Sequence, residues 1–270
     1  MVPREVLEAW SIRDPVHELA GGCQQVFRAG NRVIKRVLDH SLESQHSVSL
    51  ALWLADVLET VPRGNFRLSR PIRTKDGRWM LADGWMAWSY LEGEKALTED
   101  TPRLIESVQG LHEALKSFPE NPLLKANETA WGYAHYHCFR SMPEDVHPLL
   151  SDLVSRLYDK CRPLPGLECQ LIHGDLNLGN IMVAPGMPAG FIDFTPFWAP
   201  AEFALAMFAN WAGPRAGQIK VLDHFKNIRC FDQLLLRASI RMLLIVSRLN
   251  GVDRCETEKK AARLVLSYVG

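Results

Sequence analysis

Two hydrophobic periodicities divide the chain. Over roughly the first ninety residues, short apolar runs alternate with turn residues. Residues 24–28 and 32–38 are two such runs, separated by Ala29-Gly30-Asn31, and predict a β-hairpin. Residues 47–60 switch to helical spacing, with Leu50, Leu54, Val57 and Leu58 on one face, and Val61-Pro62-Arg63-Gly64 ends the helix. Residues 66–73 and 78–82 flank Thr74-Lys75-Asp76-Gly77 and predict a second hairpin. Residues 85–91 form a further apolar, aromatic run closing at Glu92-Gly93.

Beyond Gly93 the spacing is mainly helical. Residues 98–118 start with a capping-type signal near Thr98 or Thr101 and place Leu104, Val108, Leu111 and Leu115 on one stripe. Residues 131–139 and 144–158 predict two more helices. Short strands near 170–172, 181–183 and 190–192 interrupt, and helical spacing returns from Ala201 onward. The pattern predicts an α+β, bilobal chain: a small β-rich N-lobe over 1–92, a one-strand hinge near 90–93, and a larger α-rich C-lobe over 93–270.

Composition narrows the function classes. The 270 residues carry 31 Lys+Arg and 31 Asp+Glu, for a formal net charge of zero. No charge excess exists to bind a nucleic-acid backbone or an anionic membrane. Cysteines at 23, 138, 161, 169, 230 and 255 form no close pair and no zinc-type cluster, which predicts reduced, mostly buried thiols. Acidic residues fall where a signal peptide needs an apolar run. Residues 203–212 are too few to span a bilayer, and 234–246 are interrupted by Arg237 and Arg241. A soluble cytoplasmic protein is expected; the oligomeric state is left open.

The chemistry concentrates in Leu171-Ile-His-Gly-Asp-Leu-Asn-Leu-Gly-Asn-Ile-Met182, followed by Phe191-Ile-Asp-Phe194. Gly174 and Gly179 permit a tight loop with Asp175 and Asn180 on one side. A carboxylate at Asp175 suits proton acceptance from an attacking hydroxyl. Asn180 offers a hard amide oxygen to Mg²⁺, and Asp193, ending an apolar run, offers a carboxylate to the same metal. Either acid alone reads better as a turn cap; the joint pattern favours phosphoryl transfer.

His173-Gly-Asp175 with Asn180, then Ile192-Asp193-Phe194, resembles the aminoglycoside phosphotransferase/choline kinase-like family, a branch of the protein-kinase-like fold. The resemblance implies Asp175 as catalytic base and Asn180 and Asp193 as Mg²⁺ ligands. It also implies a small-molecule kinase with ATP as phosphoryl donor, GTP as second candidate, and a small-molecule alcohol as acceptor. Regulated protein kinases usually carry Arg where this chain has Gly174, and Pro196 and Pro200 follow Asp193 closely, so no long activation loop is expected.

The nucleotide site is sought in the N-lobe. Val33-Ile34-Lys35 resembles the family's lysine strand and makes Lys35 the α/β-phosphate lysine. Val33, Lys35 and Val37 share one strand face, and Arg32 and Arg36, the rivals, share the other. The family's helix glutamate has no clear equivalent; Glu43 is chosen, with Glu59 near the helix end. Gly21-Gly22 is the candidate phosphate-covering turn, although an ordinary turn explains it as well. Tyr90-Leu91 would meet the base through hinge backbone. In the C-lobe, Phe194, Phe197, Trp198, Phe203 and Trp211 read mainly as core. If Phe197 and Trp198 instead line the acceptor pocket, a neutral or partly apolar alcohol is expected over a polycation. His135 and His137, two apart on a helix, face away from each other and predict no metal site; His112 and Glu113 read as helix surface. The unclear glutamate and missing glycine pattern keep a second reading: a catalytically weak or silent nucleotide-binding protein acting as sensor or partner.

Overall fold

The structure, a computed structural model, describes residues 1–19, 26–36, 45–125, 129–249 and 255–270. The chain forms two compact units. One comprises Met1–Glu94 with Met182–Ile192; the other comprises Lys95–Ile181 with Asp193–Gly270.

The first unit is built on a five-stranded sheet of order β1-β2-β3-β6-β5: β1 (Val16–Leu19), β2 (Val26–Ala29), β3 (Arg32–Arg36), β6 (Trp85–Ser89) and β5 (Pro71–Ile72). All its pairings are antiparallel. The expected hairpin forms: Ala29 pairs with Arg32, and Gly30 turns the chain at φ 57°, a conformation glycine adopts without a Cβ penalty. One sheet face buries Phe27, Ala29, Ile34, Trp85 and Ala87 with Val6 of α1 (Arg4–Ala9) and Trp10 just after that helix. On the other, Met86 packs with Trp79 and Ala55 of α2 (Gln45–Thr60). The sheet is thus apolar on both faces and needs both helices to be covered.

Residues 66–73 do not make one strand. They split into β4 (Arg67–Leu68) and β5, which join different sheets. β4 runs parallel to β10 (Gly190–Phe191), which has β9 (Ile181–Val183) on its other side. The switch occurs at Ser69: its N–H donates to Phe191 O and its hydroxyl to Ser89 O. Pro71, lacking an N–H, then sits on the edge strand. Residues 78–82 are likewise no strand. Trp79 is buried and donates its indole N–H to Asp56 of α2 (2.8 Å), leaving a single bridge between Met80 and Met86.

The second unit is mainly helical. Its centre is α7 (Phe231–Arg248), which buries side chains from Phe231 through Ser247 against α4 (Ala130–Cys138), α5 (Pro148–Lys160), α6 (Ala201–Ala212) and α8 (Glu256–Val269). The helix α3 (Thr101–Leu115) buries Leu104, Val108, Leu111 and Leu115 as its spacing predicts. α5 begins at Pro148 and excludes 144–147, because the residue before a proline is driven out of helical conformation. The sequence pattern missed β11 (Pro196–Pro200). It pairs antiparallel with β8 (Cys169–His173), from Pro196 opposite His173 to Pro200 opposite Cys169.

The described cysteines are all free, as expected, but only Cys138 and Cys255 are buried, and Cys169 is exposed. Among the described residues, no helix is long and apolar enough to cross a membrane.

Candidate active site

The loop leaving β8 is fixed by interlocking backbone and side-chain bonds. Asn180 donates its amide N–H to the Asp175 main-chain oxygen (2.8 Å) and to the Asp175 carboxylate (3.2 Å). Asn177 donates to the same main-chain oxygen (3.1 Å) and accepts from the Gly179 N–H (2.8 Å). Asp175 and Asn180 therefore meet on one side of a tight turn, as their spacing predicts. The amide nitrogen of Asn180 is committed to Asp175, so its oxygen points away from that carboxylate.

The base of the loop is anchored by two histidines. His173 is fully buried; its Nδ1 accepts from the Asp175 N–H (3.3 Å), and its ring packs on Phe194 (4.8 Å between centroids). Its own N–H donates to Nε2 of His112 (3.3 Å). Because Nδ1 of His112 lies 2.7 Å from Val108 O, a pure acceptor, the ring carries its proton on Nδ1 and presents Nε2 as a lone pair. Burial pushes the His112 pKa down to about 4, against the opposing bond to Val108, and the neighbouring His173 adds to the fall. His112 is thus no surface residue. Its position, four residues after Val108, already set it beside the buried stripe of α3.

Asp193 is exposed, and its backbone sits at φ 55°, a left-handed conformation unusual for a residue with a side chain. The segment after it lies beside the Asp175 loop: Gly174 donates its N–H to Thr195 O (2.7 Å), and Pro196 pairs with His173. Gly174 has a steric reason of its own. A Cβ there would overlap Cδ2 of Phe197. Phe197 is buried, stacks on His135 (4.2 Å) and lies 5.0 Å from the guanidinium carbon of Arg241. It is a core residue and not the pocket wall weighed for the acceptor.

Residues 24–239 match the APH phosphotransferase enzyme family. The chain belongs to that family. No curated protein is significantly similar to it in sequence. Among solved structures, the amicoumacin kinase hAmiN in complex with AMP-PNP, Ca²⁺ and Ami is similar at TM-score 0.67 and 13% identity, over 98% of this chain and 92% of that one. Spectinomycin phosphotransferase APH(9)-Ia with ADP and spectinomycin matches at 0.57 and 15%, covering 97% and 96%. A choline/ethanolamine kinase family protein from Mesorhizobium loti matches at 0.51 and 15%, covering 95% and 87%. These likenesses show the fold: the APH-family chain has the α+β, protein-kinase-like architecture that its motif resemblance implied.

The described nucleotide-site candidates of the APH-family chain lie in the first unit. Lys35 pairs in register with Met86 and so lies on the α2 face of the sheet, with its Nζ 5.3 Å from the Trp88 ring. Arg32 and Arg36 fall on the opposite face, and Arg36 donates to Asp83 O. Within the described part of α2 the acids are Asp56 and Glu59. Asp56 accepts from Trp79, and Glu59 pairs with Arg73 (2.9 Å). Gly21, Gly22 and Glu43 lie outside the described residues. Tyr90 stacks under Arg28 (3.7 Å) and donates its N–H to Asn31 O; Leu91 packs over Gly190. His135 and His137 do diverge: Nε2 of His135 meets Trp198 O, while Nδ1 of His137 meets Ser141 O. Among the described residues no group of His, Cys, Asp and Glu is clustered to hold a metal by itself.

Proposed function

We propose that this APH-family phosphotransferase moves the γ-phosphoryl group of ATP to a hydroxyl of a small molecule. The observation that carries the reading is the bond from Asn180 to the Asp175 carboxylate, on a loop whose root is held by His173 and His112. Asp175 is the base: half-buried and fixed in direction, it accepts the proton as the acceptor oxygen attacks phosphorus. Asn180 orients that carboxylate while its amide oxygen stays open to a cation. Such transition states are loose, so the chain contributes mainly position and charge complementarity.

Asn180 and Asp193 fit a Mg²⁺ that keeps several waters and shares the phosphates: both are hard oxygen donors, one neutral and one anionic. Bound there, the metal neutralises charge on the triphosphate. Lys35 is assigned to the α- and β-phosphates, and the 90–93 backbone to the base, with Gly21, Gly22 and Glu43 completing the nucleotide region. In this reading 1–92 bind nucleotide and 93–270 hold catalysis and the acceptor. Free thiols and dependence on ATP fit the cytoplasm. The acceptor is a small molecule, as amicoumacin and spectinomycin are in the structures described above.

Asp175→Asn tests the base. It keeps the shape and loses the proton acceptor, so turnover should fall about 10³-fold or more, with melting temperature and ATP affinity near those of the parent. Full turnover in the variant rejects Asp175. One observation favours the second reading, a nucleotide-binding protein of little turnover: the described acids of α2 are already engaged by Trp79 and Arg73. Stabilisation by ATP and Mg²⁺ without transfer to any alcohol in a broad panel would select it.

A further inference from the structure

Two arginines three residues apart in the first unit each hold three backbone carbonyls. Arg70 donates to Leu58 O (2.7 Å), Glu59 O (2.9 Å) and Val61 O (2.7 Å). These belong to the last turn of α2 and the residue after it, where carbonyls lack helical partners, so Arg70 caps a helix. Arg67 caps nothing. Its Nε donates to Pro188 O (2.9 Å), its Nη1 to Glu92 O (2.9 Å) and its Nη2 to Met182 O (3.3 Å). The acceptors come from the segment after β6 and, much further along the chain, from the strand β9 and the turn before β10.

Two glycines make room for this knot. A Cβ on Gly190 would lie 3.3 Å from the guanidinium carbon of Arg67 and 2.9 Å from Cδ1 of Leu91. A Cβ on Gly93, at φ 128°, would overlap Val183 O. Residues 91–93 therefore lie close to β9 and the start of β10; β7 (Glu94–Lys95) pairs with β9 just beyond them, and the guanidinium of Arg67 adds a tie at the Glu92 carbonyl.

We propose that Arg67 is a positioning residue for nucleotide binding: it sets the backbone direction of the 90–93 segment that meets the base. The inference rests on the assignment of that segment to the nucleotide. A peptide is planar and trans, so holding the Glu92 carbonyl also fixes the direction of the Gly93 N–H on the other side of the same plane. Hydrogen bonds to a base edge weaken steeply off-line. A segment free to turn meets the base in fewer productive orientations and pays ordering entropy on binding. The task needs a guanidinium: three carbonyls in three directions match Nε, Nη1 and Nη2 of one rigid fork, and an ammonium on a flexible stem does not reproduce that.

The test compares Arg67 with Arg70 in the full chain, reading ATP affinity by calorimetry with Mg²⁺ present and stability by melting temperature. Arg67→Met and Arg67→Lys should each raise the Kd for ATP about tenfold or more. Arg70→Met should lower the melting temperature and leave the Kd within about twofold, because the carbonyls it frees belong to a helix end. Gly190→Ala, which crowds the guanidinium from behind, serves if Arg67→Met does not fold, and should weaken ATP in the same way. Parent-like ATP affinity in folded Arg67 variants overturns the proposal, as does an equal loss of affinity in Arg70→Met. Absence of ATP and GTP binding by the parent protein overturns the nucleotide assignment itself, and this inference with it.

Discussion

The two antiparallel ladders β2–β3 and β8–β11 are built alike and differ in what closes them. β2–β3 is closed by the two residues Gly30 and Asn31, and nothing chemical sits in the turn. β8–β11 pairs Pro196 with His173 as its last rung, so everything from Gly174 to Thr195 leaves from and returns to that rung. That excursion holds Asp175, Asn180 and Asp193. The first ladder is a local solution to covering apolar surface. The second pins both ends of the long segment that carries the proposed site, with Gly174 bonded to Thr195 across its mouth. A turn that closes only itself tolerates change; a mouth that aims a carboxylate should not.

The largest expected effect tests the mouth. In Gly174→Ala the new methyl group overlaps Phe197, which has no free space because His135 stacks on it and Arg241 lies behind it. Either the ladder opens or the loop shifts. We expect a loss of about 3 kcal/mol in stability and, since small misplacements of a reacting group are costly, a turnover loss of roughly 10²-fold. Phe197→Leu in the same chain should restore part of both. Denaturant melts and initial rates on the four members of that double-mutant cycle supply the test. If Gly174→Ala is silent, the two ladders are equivalent after all.

The same contrast explains what the sequence disclosed. The hairpin around Gly30 and the pairing of Asp175 with Asn180 were legible because each is set within a few residues by turn chemistry and spacing. β11 was not, because Pro196-Phe-Trp-Ala-Pro200 carries two prolines and reads as a loop; only its long-range partner β8 makes it a strand. β4 and β5 were merged for a similar reason, since the change of partner at Ser69 depends on Phe191 and Ser89, both distant in sequence. His112 was misread as surface although its spacing from Val108 put it beside the buried stripe. A histidine's polarity outweighed its position, and what keeps it inside is a matched pair of hydrogen bonds that no local pattern announces.

That histidine gives the second effect, in acid. His112 is neutral when folded, with its pKa near 4, while the unfolded chain takes up a proton near 6.5. Below 6.5 the unfolded state therefore binds more protons, and stability falls as pH falls until the folded ring also titrates. The His112 share of the loss across that window should be about 3 kcal/mol. His135, also displaced downward by burial and by the charge of Arg241, to about 3, adds to the decline over the same window and carries it lower. His112→Leu should make the slope between pH 6.5 and 4 shallower. At neutral pH it should cost about 2 kcal/mol, because the buried bond from the His173 N–H to Nε2 of His112 is lost. Urea midpoints of parent and variant at pH 7, 5.5 and 4.5 decide it; parallel pH profiles would assign the acid sensitivity elsewhere. No such dependence is expected to arise from the β2–β3 turn.

The smallest effect is expected at that turn. Gly30 sits at φ 57°, and a Cβ there would lie 2.7 Å from a carboxylate oxygen of Asp14. The oxygen is the end of an exposed side chain, free to move, so the crowding is cheap and the backbone conformation dominates. Gly30→Ala should cost about 1 kcal/mol. Gly30→Asn should cost less, since asparagine tolerates the left-handed region. Both variants should keep the turnover of the parent at saturating ATP, because the strand register from Ala29–Arg32 to Val26–Lys35 is set by the buried Phe27 and Ile34 pair and not by the turn alone. A turnover loss at Gly30 as deep as at Gly174 would mean that register at Lys35 is transmitted from the hairpin tip. The distinction between a turn that closes itself and a mouth that aims a carboxylate would then fail.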